Sequence, residues 1–113
     1  MDDIIAKAHE LGKLIGAHER TRAFITAAKA ASEDKAAQDV MRAYQKHAET
    51  LERLQMEGKP IEPDMKRKLA EGQLAVASNA RLKELSRLQA DYLELMNKVN
   101  DAIEGSIGTV TNG

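Results

Sequence analysis

Both prolines of this chain lie in one short stretch, Met56-Glu57-Gly58-Lys59-Pro60-Ile61-Glu62-Pro63, and nothing comparable interrupts the rest. Proline fixes φ and carries no N–H, so it stops a helix internally yet suits the first helical turn. Gly58 and Pro60 therefore end one helix, and Pro63 starts the next. This hinge at 58–63 predicts that the chain folds back on itself between two long helical halves.

Apolar spacing predicts about five helices. In the first, over about 2–18, Ile4, Ala8, Leu11, Ile15 and His18 step by four and three along one face, with Ile5 and Leu14 widening it. Asp2 and Asp3 suit its N-terminus. Ala8, Gly12 and Gly16 form a row of small residues, which points to close approach of another helix or to a break near Gly16. A short second helix, 21–31, turns Phe24, Ala27, Ala28 and Ala31 inward. Ser32 and Asp34 are candidate caps for a third, which ends near Glu57 and carries Val40, Tyr44, His47, Leu51 and Leu54 on one face. A fourth, after the hinge, bears Met65, Leu69, Gly72 and Val76, and Ser78-Asn79 interrupts it, with Asn79 as the next cap. The fifth and longest covers 80–107. There Leu82, Leu85, Gln89, Tyr92, Met96, Val99 and Ile103 keep a coiled-coil rhythm, and Leu88, Leu95 and Ala102 form a second stripe beside it. The fold class is all-α: an antiparallel, coiled-coil-like bundle with two long helices. It forms a single domain over 1–107, followed by a flexible tail over 108–113.

Composition narrows the chemistry. Hydrophobic residues make up 42%, but many are alanine, and the aromatics are only Phe24, Tyr44 and Tyr92. Alanine favours helix yet fills a core poorly, so Leu, Ile and Met must build one between helices. The absence of cysteine excludes disulfides, thiolate nucleophiles and cysteine-held metal centres, and fits a cytoplasmic protein. A formal net charge of −1 with interspersed signs gives no global field for nucleic acid or anionic lipid. The acidic start, Met1-Asp2-Asp3, lacks the pattern of a signal peptide, and no run is long and apolar enough to span a membrane.

No catalytic signature emerges, and no enzyme, cofactor or metal is expected. His9-Glu10 is not followed by a second histidine at metalloprotease spacing, and no glutamate precedes His9, His18 or His47 by three residues. His18 and His47 read as hydrogen-bonded core or interface residues. A basic set, Lys66, Arg67, Lys68, Arg81, Lys83 and Arg87, can attract phosphates and defines the alternative of an RNA-binding accessory protein. Glu62, Asp64, Glu71 and Glu84 are interleaved with it, and no aromatic platform accompanies it, so direct nucleic-acid binding is the weaker reading. The stronger signal is apolar. The candidate interface is Leu82, Leu85, Leu88, Tyr92, Leu95, Met96, Val99 and Ile103, a band broad enough for two neighbours. Either it closes within one monomeric bundle, or it docks a second copy or another helical protein.

The order of features resembles the YlbF/YmcA family of small helical bacterial proteins. The likeness covers about 5–107 and rests on Ala8-His9-Glu10-Leu11 with Ile15, then Phe24 and Ala27-Ala28, the acidic break Glu33-Asp34, and the Val40-Met41…Tyr44-Gln45 face. It continues through the hinge Glu57-Gly58-Lys59-Pro60-Ile61 and the Ser78-Asn79 break. The resemblance implies long antiparallel helices, dimeric or higher assembly and no catalysis. It implies a cytoplasmic regulator of bacterial development that works through a complex assisting messenger-RNA processing. Iron–sulfur ligation by cysteine, found in some relatives, does not carry over to a cysteine-free chain. The resulting expectation is a non-enzymatic adaptor, a homo-oligomer or the partner of a paralogue.

Overall fold

A computed structural model describes residues 1–112, with side chains described through Gly108. Five helices follow one another: α1 (Asp2–Ala17), α2 (Glu19–Glu33), α3 (Lys35–Met56), α4 (Pro63–Ser78) and α5 (Ala80–Asn112). No strand occurs among the described residues. The all-α expectation holds.

Each boundary has a local cause. At the hinge, the Lys59 N–H donates to the Leu54 carbonyl at 2.9 Å and the Gly58 N–H to Gln55 at 3.2 Å. Gly58 takes φ +69°, the left-handed conformation that lets both bonds form. Pro63 then occupies the first turn of α4, where its missing N–H costs nothing. The turn folds α4 back antiparallel along α3. A Cβ on Gly72 would stand 3.4 Å from the Tyr44 Cα, so the absent side chain sets how closely the two helices approach. Asp34 caps α3 by accepting the Ala37 N–H at 2.9 Å, and Asn79 caps α5 by accepting the Leu82 N–H at 3.1 Å.

One open expectation is resolved and one helix end moves. α1 passes through Gly16 and stops at Ala17, with nothing within 4 Å of a Cβ placed at Gly12 or Gly16. The break thus lies just beyond Gly16, one of the two readings of the glycine row, and the space where a Cβ would stand is open at Gly12 and Gly16. Second, α5 continues to Asn112 rather than ending at Ile107, so most of the segment expected as a flexible tail is helical. Gly105 and Gly108 weaken a helix, but extending one already nucleated over many residues costs little, and no proline stops it. Gly113, the last residue of that segment, lies outside the described residues.

Contacts gather the chain into two compact units, Met1–Thr26 with Ser86–Gly113, and Ala27–Leu85. In the second unit Ala31, Ala37 and Leu82 form the buried centre, with Val40, Met41, Val76 and Leu85 packed against it. Alanines at this point let helix ends come close together. Arg81 pairs with Asp34 at 3.4 Å, and the Gln38 side-chain amide donates to the Ala31 carbonyl at 2.8 Å. The first unit is built differently. Its rings Phe24 and Tyr92 stack at 5.2 Å, and among the described residues the one it buries most fully is polar, Thr21 at 7% exposure.

Candidate docking surface

Within the first unit, α1 and the start of α2 run antiparallel to the C-terminal part of α5. Leu11 lies by Val99, Ala102, Ile103 and Ser106, and Arg20, the second residue of α2, meets Asp91 and Glu94. Leu11 and Ile15 are half-buried, and Leu11 faces α5. Ile4 belongs to the same stripe, because residues at steps of three and four share a helix face, yet it is 72% exposed. Near the end of α5, Ile103 and Ile107 are exposed too. Ile5 and Leu93 add further uncovered apolar surface, and Leu14 stands out at 71%. A shallow groove of about 350 Å³ opens between Leu11 of α1 and Val99, Ala102, Ile103 and Ser106 of α5.

The stripe on α1 is therefore apolar enough to be a core face while no residue of that helix is buried. Lone exposed apolar residues are ordinary; a contiguous set from two adjacent helices marks an interaction surface.

Polar contacts hold this unit in register. His18 stands between α1 and α2, extended at φ −67° and ψ 143°, and its Nδ1 accepts the Arg20 N–H at 3.1 Å. It caps α2 as an Asn or Asp would. The Arg20 Nη1 donates to the Asp91 carbonyl at 3.2 Å and lies 3.5 Å from a Glu94 carboxylate oxygen. The Lys98 ammonium beside Glu94, with Arg20 on the other side, holds that carboxyl below its usual range.

The predicted interface residues divide between the units. Leu82 is the buried centre of the second unit and Leu85 packs against it, so both are occupied within the chain. Leu88, Tyr92, Leu95, Met96 and Val99 are half-buried in the first unit, and Ile103 is open. The basic residues Lys66, Arg67, Lys68, Arg81, Lys83 and Arg87 are all exposed. Arg67 pairs with Asp64 and Glu71, Lys68 with Asp64, and Arg81 with Asp34. Of the histidines, His9 is exposed, His47 half-buried, and His18 a surface cap rather than a core residue. Among the described residues no cluster of histidines and carboxylates could hold a metal, and no helix is long and apolar enough to cross a membrane.

The sequence places an apolar stripe on α1 and a candidate interface on α5; the structure leaves Ile4 and Ile5, side by side at the first turn of α1, uncovered as well. The Arg20 contacts join residues far apart in the chain, and no local pattern marks them.

The family model described as control of competence regulator ComK, YlbF/YmcA, matches residues 4–108. Among solved structures, the fold is similar to a chain of the crystal structure of Bacillus subtilis RicA in complex with RicF. The TM-score is 0.84 at 21% sequence identity, with 96% of each chain covered. At that identity the likeness shows the fold. No curated protein sequence matches the chain.

Proposed function

The chain belongs to the YlbF/YmcA family, and we propose that it is a non-enzymatic regulatory adaptor that works by docking the α1–α5 face of its first unit onto a second copy or a paralogous helical protein. One observation carries this reading. Among the described residues, the first unit buries no apolar side chain as fully as it buries Thr21, while Ile4, Ile5, Leu14, Leu93, Ile103 and Ile107 lie open on its helices. Burying apolar area contributes about 25 cal/mol per Å², so a helical partner laid across Ile4 and Ile103 gains from surface the chain leaves wet. The similar fold of the RicA–RicF structure, which contains two different proteins in complex, supports a protein partner. The family description supports a place in competence regulation. Within that setting we assign the adaptor to the bacterial cytoplasm, in developmental control linked to messenger-RNA processing. Direct RNA binding is the weaker reading, because Arg67, Lys68 and Arg81 already face carboxylates.

Sedimentation of the purified chain at micromolar concentration tests self-docking: a dimer is expected for the natural sequence and a monomer for Ile4→Glu. If the natural chain is a strict monomer, the partner is a different protein; if a pull-down from the source cell also returns no helical protein, the adaptor reading is lost.

A further inference from the structure

Three observations converge on the α1–α2 joint. α1 meets α5 at half-buried Leu11, and none of its residues is fully buried, so its own packing fixes its position weakly. The joint is one extended residue, His18, so the direction in which α1 leaves follows closely from where α2 begins. The beginning of α2 is in turn tied to α5 by the Arg20 guanidinium, which donates to the Asp91 carbonyl at 3.2 Å and faces Glu94 at 3.5 Å. The same residue's backbone N–H makes the His18 cap at 3.1 Å.

We propose that Arg20 is the positioning residue of the docking face: it fixes the start of α2 on α5 and thereby aligns the Ile4 and Leu11 side of α1 with Ile103 and Ile107. The inference deepens the docking reading above and depends on it for its functional meaning. A planar guanidinium can serve a carbonyl and a carboxylate from one place, which the compact ammonium of lysine does less well. Exposed ion pairs contribute little to global stability, so loss of Arg20 acts on alignment more than on folding. The stack of Phe24 on Tyr92, one turn further along α2, holds the rest of that segment in place when Arg20 is removed.

The chain has no cysteine, so spin labels can be placed at will. Labels at Lys7→Cys and Asp101→Cys, diluted with unlabelled protein, report the α1–α5 distance within one chain. A narrow distribution is expected with Arg20 present and a broad one for Arg20→Ala. Self-association should weaken about tenfold in Arg20→Ala, with the thermal midpoint little changed and Arg20→Lys recovering part of both effects. A distribution that stays narrow in Arg20→Ala overturns the inference, as does a broad one with undiminished association. If the natural chain is monomeric but Arg20→Ala still broadens the distances, the strut stands and self-docking fails, which separates the two readings.

Discussion

Thr21 is the least ordinary residue of the first unit. It is 7% exposed, and its hydroxyl meets no hydrogen-bond partner among the described residues. A buried hydroxyl without a partner loses its water and gains nothing in return, a cost on the order of 1–3 kcal/mol. Valine has nearly the same shape and no such group. Thr21→Val should leave the fold intact and raise stability by about 1 kcal/mol in urea unfolding; a loss of that size instead would mean the hydroxyl is satisfied in solution. His18 teaches a related lesson about what a residue name reveals. Histidine on an apolar helix stripe reads as a core residue, because the usual caps are Ser, Thr, Asp and Asn. Here the ring sits outside both helices and its Nδ1 stands in for the carboxylate of an Asp cap. The one-dimensional pattern contains the residue but not the direction of its ring.

At the scale of helices, much was legible because their ends are decided locally. Gly58, Pro63, Asp34 and Asn79 each act within a turn of where they stand, and each lies at the boundary its chemistry predicts. The same locality accounts for the fully matched stripes of α3 and α4, where Val40, Tyr44, His47, Leu51, Leu54, Met65, Leu69 and Val76 are all half-buried. What could not be read was where α5 ends, since a long helix runs past weak residues that would stop a short one. Glycines separate the two kinds of position cleanly. Gly58 at φ +69° needs its freedom, so Gly58→Ala should cost about 1 kcal/mol. Gly12 lies inside α1 with open space where a Cβ would go, so Gly12→Ala should gain about 0.5–1 kcal/mol. Thermal unfolding of the two variants should therefore shift in opposite directions. Equal losses would mean that Gly12 also occupies a confined place.

Across the molecule, the broad apolar band of α5 meets two kinds of surroundings that sequence periodicity cannot separate, because its rhythm continues unbroken from Leu82 to Ile103. The difference comes from what other segments lay against it. Near Leu82, the chain brings Ala31 and Ala37 and closes a small core. Toward Ile103, it brings α1, which covers the band partly and leaves its own Ile4 wet. Covering depends on the register between residues that are distant in sequence, such as Leu11 and Val99, and a stripe pattern carries no register. The two ends should then respond oppositely to substitution. Leu82→Ala removes side-chain volume from a closed core and should cost about 3 kcal/mol at any protein concentration. Ile103→Glu places a charge on surface that is already exposed, so the isolated chain should change by no more than about 0.5 kcal/mol. Its effect should appear only where chains meet. Unfolding of the natural protein should shift upward as concentration rises through the association range, and Ile103→Glu should abolish that shift. Followed by helical circular dichroism at two concentrations, the pair of variants separates core from docking face. If Ile103→Glu destabilises the dilute chain as much as Leu82→Ala does, Ile103 belongs to a core within the chain and the docking face must lie elsewhere.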